Sequence, residues 1–260
     1  MQKTTFRQLN ISSAYCAAAE NCISQAESLF LTLPGDFVTE ARALGAQTQI
    51  TASGFFDVTP LVTTPEQLPR IPYLPDQPLI KELFMEIERL SATRYIFLNV
   101  IAPYSLLTLI CSQKLPAWLL KQTDEVKIAL GILTDALADY IMAAFERGVK
   151  IVSLQDSYAQ HGLLGDKRYR TFAAEYQVRL LQRLSGSSSR GVVHLCPFSF
   201  VPLEEYGLLK LSYVELPNPY YEKALLDMAN RSDHVVFIGH QCPHNRLAKY
   251  LYQLNLTFSV

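Results

Sequence analysis

Short apolar segments alternate along the chain with longer segments in which apolar and polar positions follow helical spacing. Short continuous apolar runs are typical of buried strands, and they cover residues 28–33, 94–100, 150–154, 191–195, 208–214 and 234–239. Apolar positions at helical spacing predict helices over residues 37–44, 78–90, 102–112, 123–147, 167–184 and 219–229. Strands that alternate with helices in this order predict a parallel sheet with helical crossovers.

A chain of 260 residues fits either a (β/α)8 barrel or an open doubly wound sheet. The glycine-rich motifs of dinucleotide and nucleotide sites, G-x-G-x-x-G and G-x-x-x-x-G-K-[ST], do not occur in the sequence. We therefore predict an α/β fold of the (β/α)8 TIM-barrel type, formed as a single barrel domain over residues 1–260. The sequence shows about six convincing strands where a full barrel has eight, so we expect the barrel to be shortened or irregular.

Charge and composition narrow the classes of partner. The formal net charge is −1, and lysine and arginine form no dense run, which argues against nucleic acid as a partner. No stretch reaches the roughly 18 uninterrupted apolar residues of a membrane span; the longest candidate, residues 95–111, contains Asn99 and Pro103. The amino-terminal segment lacks the apolar stretch of a signal peptide. We therefore expect a cytoplasmic protein without a membrane partner.

The five cysteines are odd in number and irregular in spacing, which does not indicate a disulfide framework in a chain of this length. In a reducing compartment they are free thiols or metal ligands. Cys16, Cys22 and Cys111 lie in apolar or alanine-rich segments and are interpreted as structural. Cys196 and Cys242 lie near histidines at the ends of predicted strands, which makes them candidates for chemistry.

Polar residues collect where the predicted strands end. They are Asp36, Asn99, Asp156, His194, Cys196, Glu215, Asn218, His240, Cys242 and His244. In a parallel barrel the carboxyl ends of all strands meet on one face, and active sites lie on that face. We assign Asp156 a catalytic role, with a helix cap or a loop carboxylate as the alternative. We assign Asp36 and Asn99 roles in cofactor binding, and expect them on the same face as His194.

His194 and Cys196 are separated by one residue, so in a strand both side chains project from the same side. Zinc binds histidine nitrogen and cysteine sulfur, and a catalytic zinc has three protein ligands and one open position. Cys242 follows a later strand and is the candidate third ligand. His240 and His244 are the alternatives to it, and a packed histidine beside a buried cysteine is the structural alternative for the whole motif.

Several segments of the chain resemble the uroporphyrinogen decarboxylase-like superfamily. A long helix that ends in glycine, followed by a strand closed by aspartate, is similar to the central region of that superfamily. The segment after this strand is similar to the start of the next helix of those proteins. The His-x-Cys strand, an acidic helix start and an Ala-Pro-Tyr-Ser turn resemble the corrinoid-dependent branch, whose members are like methylcobalamin:coenzyme M methyltransferase. These segments are residues 138–158, 165–172, 193–196, 34–45 and 102–105.

The resemblance implies a zinc ion bound by His194, Cys196 and a distant cysteine. In that branch the zinc binds an acceptor thiol and lowers the pKa of the thiol, and the thiolate takes a methyl group from a corrinoid. It also implies a corrinoid protein and a small thiol as partners. The Arg-Gln-Ala-Gly-Arg segment of the decarboxylases is absent, which counts against decarboxylation of uroporphyrinogen.

Three hypotheses follow. The first is a zinc-dependent methyltransferase that moves a methyl group from a methylated corrinoid to a thiol. The second is a shortened, non-catalytic homologue that binds a corrinoid protein or a small ligand. The third is a metal-free relative of the decarboxylases. The sequence leaves the oligomeric state open, and a homo-oligomer is compatible with each hypothesis.

Overall fold

The computed structural model describes residues 29–34, 36–50, 56–216, 219–239 and 247–257. The strands in these ranges are β1 (Phe30–Leu33), β2 (Gln47–Ile50), β3 (Phe56–Thr59), β4 (Tyr95–Ile101), β5 (Val149–Gln155), β6 (Gly191–Leu195), β7 (Leu209–Glu215), β8 (Val235–Gly239) and β9 (Tyr250–Leu256).

The helices lie between these strands. They are α1 (Thr39–Ala43), α2 (Pro78–Ser91), α3 (Pro103–Cys111), α4 (Leu115–Lys121), α5 (Thr123–Glu146), α6 (His161–Leu164), α7 (Asp166–Arg168), α8 (Glu175–Ser185), α9 (Pro197–Glu205) and α10 (Tyr221–Arg231). A π-helical segment, Tyr169–Ala174, joins α7 to α8. Short 3-10 turns cover Pro65–Arg70, Leu74–Asp76 and Ser112–Lys114.

Seven strands form one sheet in the order β1-β4-β5-β6-β8-β9-β7. The first five are parallel neighbours, whereas β9 runs antiparallel to both β8 and β7. Strands β2 and β3 form a separate antiparallel pair. The predicted α/β class with a mostly parallel sheet is therefore confirmed. Within the described residues β1 and β7 are the two ends of the strand order, so the sheet is not closed there, which is compatible with the expected shortened or irregular barrel.

The two faces of the sheet pack against different partners, because alternate residues of each strand point to opposite faces. On one face Val152 and Val193 belong to the larger core, which includes Leu133 of α5 and most of the other helices. On the opposite face Ile151 and Val192 belong to a smaller core formed with α10. The backbone N–H of Leu29 donates to Glu222 Oε2 at 2.8 Å, so the start of α10 lies beside the amino end of β1.

Helix α5 is the one helix in the described ranges that is long and apolar enough to cross a membrane by length and composition alone. It has 24 residues, and 61% of its apolar window is buried inside the protein. A core helix passes the same test of length and composition, so this finding is weak evidence for a membrane span. The expected absence of a membrane partner stays a prediction.

Candidate functional site

A row of buried polar side chains crosses three neighbouring strands near their carboxyl ends. Asn99 of β4 is paired in register with Ser153 of β5, which is paired with His194 of β6. Residues in register on parallel strands point to the same face, so the three side chains lie side by side. Their exposed fractions are 5%, 1% and 0%. We call these three residues the polar row.

The polar row lies directly above an apolar row on the same face. Two residues earlier on each strand stand Phe97, Ile151 and Val192, and all three belong to the core beneath α10. The polar side chains therefore occupy the carboxyl end of a face whose amino half is filled with apolar side chains. In a parallel barrel this is the end of the strands at which active sites form.

The structure defines the hydrogen bonding of two residues of the polar row, Asn99 and Ser153. Asn99 Nδ2 donates to the backbone carbonyl of Pro34 at 3.2 Å, which ties the end of β1 to β4. Ser153 Oγ is buried and makes no hydrogen bond with any described residue. A buried hydroxyl without a partner is costly, and the packing of β5 gives no reason for a serine at this position.

Cys196 follows β6 and keeps its extended backbone, with φ −67° and ψ 158°. The alternation of side chains therefore continues, and Cys196 projects from the same side as His194. Its thiol is half-buried and lies 3.3 Å from Ser199 Oγ in the first turn of α9. The backbone thus places His194 and Cys196 on the same side of the chain, and their joint binding of a metal stays a prediction.

Cys242, together with His240 and His244, lies outside the described residues. Within the described ranges, no group of three or more histidine, cysteine, aspartate or glutamate side chains is arranged to hold a metal ion. The segment that contains Cys242 follows β8, and Ile238 of β8 pairs in register with His194. Strand β8 itself therefore ends beside the end of β6.

Asp156 is placed one residue beyond β5 and is buried. Its Oδ1 accepts hydrogen bonds from the backbone N–H of Ser105 at 3.1 Å and from Ser105 Oγ at 2.6 Å. Ser105 lies in the first turn of α3, where backbone N–H groups have no partner within the helix. Asp156 thus caps α3 from a neighbouring strand, and its catalytic role stays a prediction.

Burial raises the pKa of Asp156 to about 7, although the two hydrogen bonds from Ser105 lower it. Desolvation also raises the pKa of Tyr104 to about 12, and the charge of Asp156 adds to that shift. The pKa of Tyr169, in the π-helical segment, is raised by burial and by the same carboxylate. Asp156 can therefore exchange a proton near neutral pH, which an exposed aspartate cannot do.

Asp36 follows β1 and is also buried. Its Oδ1 accepts from the backbone N–H of Val38 at 3.1 Å and from Thr39 Oγ1 at 2.7 Å, and its Oδ2 lies 3.8 Å from Arg42. These contacts place Asp36 at the start of α1, where it stabilises the turn after β1. A direct contact of Asp36 or Asn99 with a cofactor stays a prediction.

Glu40 is a buried carboxyl group that the sequence analysis did not single out. Burial raises the pKa of Glu40 to about 8, and the charge of Asp36 raises it further, while backbone hydrogen bonds of Glu40 and Ile101 lower it. Burial, Glu40 and Asp36 in turn raise the pKa of Tyr140 on α5. The signal in the sequence was weak, because a glutamate within a predicted surface helix is usually exposed.

Ser153 and Ser105 were likewise not chosen from the sequence. The signal for Ser153 is its place in the middle of an apolar run, since a polar residue in a buried strand needs a partner. Ser105 lies in the Ala-Pro-Tyr-Ser turn already noted, and the structure shows that it holds Asp156. Together these residues give the carboxyl end of the sheet an imidazole, a thiol, hydroxyls and a carboxyl group that titrates near neutral pH.

Comparison with known proteins fits this geometry. The family model described as uroporphyrinogen decarboxylase (URO-D) matches residues 30–206, which is more than half of the chain. A search of curated protein sequences finds no match.

Among solved structures, 23 chains match. One is a methyltransferase from Methanosarcina mazei, with a TM-score of 0.56 and 19% sequence identity. The match covers 68% of this chain and 54% of that protein, so the chain spans about half the length of the methyltransferase. This likeness shows a shared fold. With the match over residues 30–206, it follows that the chain belongs to the uroporphyrinogen decarboxylase family.

Proposed function

We propose that this protein is a zinc-dependent methyltransferase that moves a methyl group from a methylated corrinoid to a thiol. The observation that carries the proposal is the placement of His194 and Cys196 on one side of the chain at the carboxyl end of β6. The fold is shared with a methyltransferase from Methanosarcina mazei. Family membership alone supports a methyltransferase-type enzyme, and the zinc, the corrinoid and the thiol are the finer parts of the proposal.

The donor atoms at the end of β6 suit zinc. An imidazole nitrogen and a thiolate are its preferred ligands, and a catalytic site needs one more protein ligand beside an open position. Cys242 would supply that ligand, with His240 and His244 as the alternatives. The segment that contains Cys242 follows β8, which is hydrogen-bonded to β6. The carboxyl ends of these two strands are therefore neighbours.

When bound, zinc would lower the pKa of the acceptor thiol and hold it as a thiolate, and the corrinoid, carried on a partner protein, would supply the methyl group. The roles proposed for the protein's own residues are to hold the metal in a fixed position and to accept a proton. His194 is fully buried, and its strand fixes the direction in which the imidazole points. Asp156, whose pKa is about 7, would take up the proton that the thiol releases.

Metal analysis tests the proposal most directly. The wild-type protein, purified without chelator and supplied with zinc, should retain about one zinc per chain. Cys196→Ala and Cys242→Ala should lose the zinc, since each removes a thiolate ligand. Cys111→Ala and Cys16→Ala are matched controls that should keep it, because Cys111 is buried at the end of α3 and Cys16 lies in the alanine-rich segment.

Methylation of a panel of small thiols with methylcobalamin as donor is the second measurement. Product formation should require zinc and should be absent in Cys196→Ala. A wild-type protein that binds no zinc would rule out this mechanism. Retention on a corrinoid-protein column without zinc or turnover would instead support a non-catalytic binding homologue.

A further inference from the structure

Strand β7 forms one edge of the large sheet. It is hydrogen-bonded to β9 on one side, and no strand in the described ranges pairs with its other side. Lys210, Ser212, Tyr213 and Glu215 are exposed, so this edge is open to solvent in the described part of the chain. Alternate backbone N–H and C=O groups of an edge strand point to its free side, where they can pair with another strand.

One face of β7 changes from buried to exposed along the strand. Leu209, Leu211 and Tyr213 point to the same face; Leu209 belongs to the larger core, and Leu211 packs against it. Leu209 is 1% exposed, whereas Tyr213 is 67% exposed. Tyr213 lies opposite Tyr252 of β9, with ring centroids 4.9 Å apart, and Tyr250 on the same face is 43% exposed. These three tyrosines form an aromatic patch beside the free edge, and exposed apolar patches mark interaction sites.

The sequence of β7 is complementary to itself in the antiparallel direction. When two copies pair about Ser212, Leu211 of each copy lies opposite Tyr213 of the other, on the face that carries the aromatic patch. An aromatic side chain directly opposite an aliphatic one stabilises a strand pair. Lys210 lies near the start of β7 and Glu215 at its end. Antiparallel pairing therefore brings ends of opposite charge together, whereas parallel pairing would bring like charges together.

We propose that β7 is the interface of a homodimer, in which two copies of the chain pair their β7 strands antiparallel about a two-fold axis at Ser212. The two large sheets then join edge to edge. A two-fold contact uses the same surface of both copies and closes on itself, so it leaves no further edge at β7. The aromatic patch of each copy is extended by the Leu211 side chain of the other.

The dimer is independent of the proposed zinc chemistry. His194 lies on β6, and β8 and β9 stand between β6 and the interface in the strand order. Each copy therefore keeps its own candidate site, and the interface can be tested without metal or corrinoid.

Disulfide cross-linking of the full chain tests the position of the axis. A residue on the axis lies opposite its own copy, at a Cα–Cα distance of about 4.5–5.5 Å, which a disulfide spans. Mild oxidation of Ser212→Cys should therefore give a covalent dimer. Lys210→Cys is the matched control, because its two copies would lie about 14 Å apart. The wild-type protein controls for cross-links through the native cysteines.

Sedimentation equilibrium measures the association itself. The wild-type protein should form a dimer, and its dissociation constant should rise about tenfold in Tyr213→Lys, as when an interface aromatic is replaced. Met85→Lys, at an exposed apolar residue of α2, is the matched control and should keep the wild-type constant. Zinc retention should be equal in both variants and wild type, so a failure of the interface is distinct from a failure of the proposed function.

A protein that stays monomeric at every concentration, with no cross-link in Ser212→Cys, would overturn the proposal. In that monomer, slow hydrogen exchange of the β7 amides that face away from β9 would assign the edge to another segment of this chain. Fast exchange would leave the edge open for a different protein. A dimer that Tyr213→Lys does not weaken and Ser212→Cys does not cross-link uses another surface, which also overturns the proposal. Should Tyr213→Lys fail to fold, the cross-link decides alone.

Discussion

Glu40 and Asp156 are carboxyl groups that folding removes from water, and their surroundings differ. Asp156 receives two hydrogen bonds from Ser105, and its pKa is about 7. Glu40 lies near the charge of Asp36, and its pKa is about 8. In both groups burial is the largest cause of the raised pKa and hydrogen bonds oppose it, and for Glu40 the charge of Asp36 adds to the rise.

Glu40 should make the stability of the protein fall as the pH rises. Its pKa is 4.5 as an ordinary side chain and about 8 in the folded protein, so the folded state binds the proton more tightly. The stabilisation is complete below about pH 4.5 and is lost as the pH approaches 8. The contribution of Glu40 to the free energy of unfolding should decrease by about 1.4 kcal/mol for each pH unit in this window.

Denaturant titrations between pH 5 and pH 9 measure this dependence. Glu40→Gln keeps the size of the side chain and removes the ionisation, so its unfolding free energy should vary less with pH and exceed that of wild type at pH 9. Glu82→Gln, on the exposed side of α2, is the matched control. Parallel pH curves for wild type and Glu40→Gln would show that Glu40 does not titrate in this range.

Asp156→Asn should leave the zinc content intact and reduce turnover. An asparagine oxygen can still accept from Ser105, so α3 keeps its cap, but the group no longer takes up a proton. The loss should be about a hundredfold, as for other general acid–base groups. Wild-type activity should rise with pH through about 7, where Asp156 ionises, and the variant should lack this rise. A loss of zinc in Asp156→Asn would mean that Asp156 supports the metal site instead.

The position of the candidate residues along the strands could be predicted from the sequence, and so could the shared side of His194 and Cys196, but the burial and contacts of Asp156 could not. His194 and Cys196 share one side because extended backbone continues past β6, as their spacing indicated. Asp156 was expected on the face where active sites lie, whereas its carboxylate is buried against α3. That contact depends on how a helix packs onto a neighbouring strand, which residue spacing does not encode.

Among the elements, the parallel strands could be predicted because each is a continuous apolar run in the sequence. Strands β2, β3 and β9 were not predicted. Strand β2 has the sequence Gln-Thr-Gln-Ile and is mostly exposed, so it has no apolar pattern to detect. Strand β9 is only partly buried, because it lies in the antiparallel part of the sheet. Helix α9 was not predicted, because it contains Pro197 and Pro202 and prolines usually indicate a loop.

Strand β6 begins at a glycine that the packing requires. Gly191 has φ +155°, and a Cβ atom there would lie 2.5 Å from the ring of Phe145 and 3.2 Å from the carbonyl oxygen of Lys150. Gly191→Ala should therefore destabilise the protein by about 1–3 kcal/mol, the usual cost of overpacking a core. Because His194 lies on the same strand, the variant should also bind zinc more weakly.

Thermal unfolding and zinc titration of Gly191→Ala test this expectation. Gly162→Ala on α6 is a suitable control, since a Cβ atom there meets nothing within 4 Å. A Gly191→Ala protein as stable as wild type would mean that Phe145 moves aside at little cost.

For the whole molecule, the proposed zinc site would join two separate parts of the chain. One part is the end of β6, and the other is the segment that follows β8. A ligand that binds only the folded state stabilises it, so removal of zinc by a chelator should lower the melting temperature. The melting temperature of Cys196→Ala should not respond to the chelator. Equal responses of the two proteins would place the stabilising metal elsewhere.

The fold class was accessible from the sequence because the alternation of strands and helices extends over most of the chain. The antiparallel end of the sheet was not, since it depends on β9, whose pattern is weak. The assignment of residues 1–260 to one barrel domain stays a prediction, as does the oligomeric state. The chain spans about half the length of the methyltransferase from Methanosarcina mazei, so the activity of that protein is not transferred by fold alone.

The place of β9 between β8 and β7 has a consequence for how the chain is made. Within the described residues β7 is hydrogen-bonded to β9 alone, yet the ribosome releases β7 long before β9. Strand β7 therefore has no strand to pair with until β9 has been synthesised. Pulse-labelled hydrogen exchange during refolding should find the amides of β7 protected only together with those of β9, and a chain that stops before Tyr250 should lack two strands of its sheet, not one.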